Sequence, residues 1–159
     1  KRTRKTRTMT DILQPETFQR FTSRLTPETR PAWGRMTAQH MVEHLAQTIR
    51  MSNGKKQFPE VKIPPEQAPV RYAFLWSDQP FPRNIGAAPA EQPLPPLRYA
   101  SLPEATSALE EELSLFEAYF QEHPAATFIH PLFGALTYQD WVQFHQKHFT
   151  HHFTQFGLL

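Results

Sequence analysis

Ten of the chain's 16 prolines lie between positions 59 and 96, at Pro59, Pro64, Pro65, Pro69, Pro80, Pro82, Pro89, Pro93, Pro95 and Pro96. Proline lacks the backbone N–H and collides with the preceding helical turn, so no long helix can cross this stretch. Long helices are confined to a block on either side of it, and the chain between them must run as an extended crossover. At most, Gln67–Trp76 can form a short helix there. The crossover is not simply a solvated linker: Tyr72, Phe74, Trp76 and Phe81 gather within it, and so many aromatic rings imply packing over the helical body.

The N-terminal block predicts two helices. The first starts at Pro15, suited to a first turn, and runs to about Leu25, with Leu13, Phe18, Phe21 and Leu25 as its apolar stripe. The second is capped by Thr37 and ends near Asn53-Gly54, burying Ala38, Met41, Val42, Leu45 and Ile49. His44 lies along that face and is expected to point inward, while Glu43, about 100° further round, is expected in solvent. In the C-terminal block, Ser101 caps a helix with apolar residues at Ala105, Leu109, Leu113, Phe116 and Phe120. Its acidic run, Glu110 to Glu112, reads as a solvated face. After a turn at His130-Pro-Leu-Phe-Gly134, a last helix opens at Thr137, has Asp140 at the capping-box position and closes at Gly157. Four main helices and one long crossover between the second and third make an all-α four-helix bundle.

The composition narrows the chemistry. At 159 residues the chain is long enough for one real core and short for two. With no cysteine, disulfides, thiolate ligands and a cysteine nucleophile are excluded. There is no apolar run of membrane-spanning length and no secretory leader, so a cytoplasmic location without membrane partners is expected. Residues 1–8 carry five positive charges and no negative one; taking them from the formal net +2 leaves −3 for residues 9–159. The expectation is a basic disordered tail, 1–8, ahead of a single helical domain, 9–159, whose mildly acidic balance gives no ground to infer nucleic-acid affinity, so no specific nucleic-acid partner is expected.

What remains distinctive is histidine. The last helix carries His145, His148, His151 and His152. At 100° per residue, His145, His148 and His152 share one side within roughly 60° and His151 points away. His148 and His152, four residues apart, can both reach one ion, and His40 and His44 repeat that spacing in the second helix. Two helices presenting imidazoles to a common centre make a three-histidine metal site.

The order of motifs carries a family resemblance. Met36-Thr37-Ala38-Gln39…His44-Leu45, the stretch His130-Pro-Leu-Phe-Gly-Ala-Leu-Thr-Tyr-Gln-Asp-Trp141 and the terminal His148-x-x-x-His152-x-x-Gln155 together resemble the signatures of the DinB/YfiT-like metalloprotein superfamily. The resemblance spans nearly the whole chain. It implies an up-up-down-down bundle, often a homodimer, with a divalent metal held by His44, His148 and His152. The last helix departs from many enzyme members in having Phe153-Thr154 where they have Arg-Gly before the glutamine.

Three neutral imidazoles leave coordination positions open for water or substrate, and imidazole suits zinc or nickel. The expected function is a divalent-metal-dependent enzyme, a hydrolase or a thiol-dependent transferase acting on a small molecule. The alternative is a non-catalytic metal-binding sensor or interaction module. His145, Trp141 and Trp76 are expected to line the pocket: the first two share the ligand side of the last helix, and the third comes from the crossover. No residue stands out as the general base.

Overall fold

The computed structural model describes residues 12–83 and 91–159. The expected basic tail, 1–8, lies outside the described residues. The elements are mostly helical: α1 (Pro15–Thr22), α2 (Ala38–Arg50), α3 (Ala68–Leu75), α4 (Leu102–Glu122) and α5 (Tyr138–Gln155), with β1 (Phe128–His130) and β2 (Gly134–Leu136) between α4 and α5. None of these helices is long and apolar enough to cross a membrane.

Local chemistry sets the helix ends. The Thr37 hydroxyl accepts from the His40 amide at the start of α2, and Ser101 accepts from Glu104 at the start of α4. At α5 the Thr137 side chain accepts from the Asp140 amide while Asp140 accepts from the Thr137 amide, a reciprocal capping box. The other end of α5 closes with Leu158 N–H on Phe153 O and Gly157 N–H on Thr154 O. Gly157 reverses the chain at φ 70°, where a Cβ would be strained. α1 stops three residues short of Leu25, because Arg24 and Leu25 donate to Phe21 and Thr22 in tightened final turns. Leu25 still reaches the core.

The all-α expectation needs correction. The segment read as a turn is the loop of a β-hairpin, in which Phe128, Ile129 and His130 pair antiparallel with Leu136, Ala135 and Gly134. His130 Nδ1 accepts from the Leu132 amide 3.0 Å away, and Gly134 sits at φ 77° to close the loop. The hairpin leads directly into the Thr137 cap, and Phe128 O accepts from the indole of fully buried Trp141.

The core lies where α2, α4 and α5 meet, with Met41, Leu45, Ile49, Leu109, Phe116, Trp141, Phe149 and Phe153 among its buried side chains. Phe18 of α1 adds its ring to Phe149 and Phe153. Two carboxylates expected in solvent are buried instead. Glu43 accepts from the backbone amides of Arg98 and Tyr99 and from the Gln39 amide, so it ties the end of the crossover to α2. Glu112 accepts from Lys55 at 2.6 Å, Asn53 at 2.6 Å and Arg50 at 3.2 Å, joining α4 to the end of α2. A helical period cannot show this, because partners far along the chain supply the hydrogen bonds that make a buried carboxylate tolerable.

Burial alone would raise the Glu112 pKa, but the bonds from Lys55, Asn53 and Arg50 outweigh it and hold the carboxyl below its ordinary value. Its stabilising contribution is therefore complete above the unfolded pKa and is lost as pH falls through the lower folded value. Glu112→Gln should cost about 3 kcal/mol at pH 7. Urea unfolding of both proteins from pH 7 to pH 3 should show that gap narrowing with acid; a gap independent of pH would contradict the ion-paired role.

Candidate metal centre

α5 is buried on nearly every side, including Asp140, Gln143, His145, Gln146, Lys147, His148, His152 and Gln155. Polar groups removed from water need partners, and most of these side chains find them, whereas Gln146 Nε2, His145 Nδ1 and His148 Nδ1 have none among the described residues. His148 and His152 project toward α2, where His44 meets them. His148 Nε2 is 3.0 Å from His44 Nε2 and 3.0 Å from His152 Nε2. One ligand nitrogen from each of the three lies within 4.8 Å of the others. His148 and His152 are buried, whereas His44 keeps an exposed edge, so it forms the solvent side of the cluster rather than pointing fully inward.

The protons in this cluster can be counted. Gln155 Nε2 donates to Trp33 O at 2.9 Å, so its Oε1 faces His152 Nδ1 at 2.7 Å as an acceptor. His152 therefore carries its proton on Nδ1 and turns a bare Nε2 to the centre. His148 Nε2 lies between two such nitrogens, and a single proton can bridge only one of its two 3.0 Å contacts in line. The second contact then sets nitrogen against nitrogen with no proton between them. A cation accepting all three lone pairs resolves that conflict, so the donor set fits a divalent metal ion.

Electrostatics keep the rings neutral. Lost hydration, with His44 as a neighbouring charge, pushes His152 down to about 3 despite its bond to Gln155. The same burial, with His44 and His152 alongside, takes His148 well below the histidine range, and His44 is lowered chiefly by lost hydration. Neutral imidazole is the ligating form.

The backbone around the cluster is shaped to it. The Ala32 amide donates to Gln155 O at 2.7 Å, so both the main chain and the side chain of Gln155 hold the connector before α2. Gly34, at φ 81°, follows Trp33, and a Cβ there would stand 2.9 Å from Gln155 Nε2. Trp33, Gly34 and Gln155 thus form a strap behind His152.

The other candidates occupy different roles. His145 is fully buried: Ser52 Oγ donates to Ile49 O, so it accepts the His145 Nε2 proton at 2.7 Å. His145 Nδ1 has no partner among the described residues, and burial drives the ring's pKa to about 3. The ring stacks on Trp141 and meets Phe116 edge-on. His145 and Trp141 are thus core behind the cluster. Trp76 donates its indole N–H to Asp140, as the Tyr72 hydroxyl does, which pins α3 to the start of α5. None of the three borders either of two open cavities, one of about 660 Å³ against α3 and the hairpin, the other of about 500 Å³ beside the second half of α5. The crossover does wall those cavities, but through Phe74 and Phe81 rather than Trp76. His40 is occupied by Thr37 and by Pro95 O. Glu43, with its carboxylate turned to Arg98 and Tyr99, does not act at the cluster. Sequence spacing missed Gln155 as the residue that sets the His152 tautomer, although its position three residues after His152 on the same helix was the available signal.

Residues 87–157 match the model of a family described as a protein of unknown function, DUF1569. That stretch holds α4, the hairpin and α5 with His148 and His152, but not α2 with His44. No curated protein and no solved structure matches the chain.

Proposed function

We propose that this chain is a divalent-metal protein of the DinB-like kind, with the ion held by His44, His148 and His152. The observation that carries the reading is the meeting of three ring nitrogens, with His44 Nε2 and His152 Nε2 each 3.0 Å from His148 Nε2, at separations that a single proton cannot satisfy. The DUF1569 family lies within the DinB/YfiT-like superfamily, which supports the same reading from the second half of the chain. On this reading the main helices follow the superfamily's up-up-down-down course, and the protein pairs as a homodimer. Ligand chemistry favours zinc or nickel.

The activity that fits best is that of a metal-dependent hydrolase or thiol-dependent transferase. A divalent ion bound there would supply Lewis acidity toward a water or thiol, lowering its pKa. The chain's own residues supply the setting. Gln155, held by Trp33 O, keeps the His152 lone pair aimed at the centre, and Phe144, Trp141 and His145 back the site with a dry, rigid wall. His44, with its exposed edge, leaves the cluster open to solvent on one side. One observation favours the alternative, a non-catalytic metal-binding module: among the described residues no carboxylate joins the three-histidine group, and the adjacent Glu43 is spent on backbone amides.

Untagged protein should contain about one equivalent of divalent metal by elemental analysis. His44→Ala, His148→Ala and His152→Ala should each lose it, whereas His123→Ala and His151→Ala should retain it. Metal retained by all five variants would refute the assignment. Gln155→Leu removes the tautomer lock without removing a ligand, and zinc affinity measured by chelator competition should fall roughly 10- to 100-fold. Metal-loaded protein that turns over no ester, amide or thiol-transfer substrate would favour the non-catalytic module.

A further inference from the structure

The cavity of about 500 Å³ beside the second half of α5 has the size of a small-molecule site and an unusual set of walls. The Arg83 guanidinium carbon lies over the Trp33 ring, 4.2 Å from its centroid, and no carboxylate pairs with it among the described residues. A guanidinium held on an aromatic face keeps its N–H edges free and oriented, the arrangement suited to a two-oxygen anion. Thr150 and Thr154 line the same cavity one helical turn apart, exposed, and neither hydroxyl has a partner among the described residues. Lys147 adds positive charge at the wall, although its ammonium already donates to Ser77 O and Gln79 O. One acidic residue, Asp78, also borders the cavity, and Phe81, Pro80 and Pro82 make its apolar side.

The cavity adjoins the histidine cluster through His151 and Phe81, although none of the three cluster histidines lines it. His151 lines it, and its ring is 5.0 Å from that of His152. Phe81 touches both His148 and His151. Trp33, which supports Arg83, is also the residue whose carbonyl holds Gln155 against His152. Arg83 and the proposed ligand His152 are thus both positioned through one residue, the first by its indole and the second by its carbonyl.

We infer that this cavity anchors the anionic end of a small molecule, a carboxylate or phosphate ester with an apolar body, whose other end is presented to the metal centre. Arg83 binds the anion, Thr150 and Thr154 donate to it, and the proline- and phenylalanine-lined side takes the body. The inference rests on the metal reading for its second half only; the anion site stands on its own residues.

Full-length protein titrated calorimetrically with benzoate and, separately, inorganic phosphate tests it. At least one anion should bind. Arg83→Gln should weaken that binding roughly tenfold or more while leaving the melting temperature and metal content unchanged. The stronger of the two probes tells carboxylate from phosphate. No binding of either at tens of millimolar, or equal binding by Arg83→Gln, overturns the anion site. In cobalt-loaded protein, the ring protons of bound benzoate should show enhanced nuclear relaxation that vanishes in Arg83→Gln. Binding that depends on Arg83 without such enhancement overturns the link to the metal centre. Protein that takes up no cobalt but still binds anions through Arg83 would instead mean that the metal reading has failed and the anion site has not.

Discussion

Everything in this molecule is arranged around the burial of one polar helix. α5 is enclosed on most sides, yet it carries an aspartate, three glutamines, a lysine and three histidines into that enclosure. Desolvating such groups without partners would cost several kcal/mol, and the rest of the chain is drawn into position to meet most of them. Asp140 takes Tyr72 and Trp76 of the crossover, Gln143 takes Leu75 O, and Lys147 takes Ser77 O and Gln79 O. His145 reaches the end of α2 at Ser52, His148 reaches α2 at His44, and Gln155 reaches the connector at Trp33. The proline-rich crossover, which cannot bond within a helix of its own for most of its length, gives its carbonyls to α5 instead.

That arrangement explains why two imidazoles of a three-histidine cluster can sit buried beside the core. The rings are not tolerated because they are apolar; lost hydration holds them neutral, and neutral rings expose lone pairs. His145 shows the alternative outcome on the same helix: a buried neutral ring satisfied on one nitrogen by a serine and enclosed by Trp141 and Phe116. The difference between a structural histidine and a candidate ligand is what stands opposite. Ser52 can accept a proton, whereas another bare imidazole nitrogen cannot supply a second one.

The strap of Trp33, Gly34 and Gln155 gives the cluster its orientation and connects it to the surface. Its carbonyl sets a tautomer and its indole supports a guanidinium, so displacement of this connector would disturb both.

Much of this was legible in the sequence. Thr37, Ser101 and the Thr137–Asp140 pair cap helices as their side-chain chemistry requires, and Gly157 ends the last one, because these are local interactions within a few residues. The prolines kept long helix out of the crossover, and helical spacing grouped His148 with His152. The tertiary structure alone decided what depended on distant partners. Glu43 and Glu112 are buried because amides and cations from elsewhere in the chain reach them, His145 turns to Ser52, and Trp76 gives its indole N–H to Asp140. The hairpin at His130 to Gly134 escaped a reading tuned to helical period, since its strands are only three residues each. Spacing tells which side chains share a face of one element; only packing between elements tells which groups will meet there and which will find another partner first.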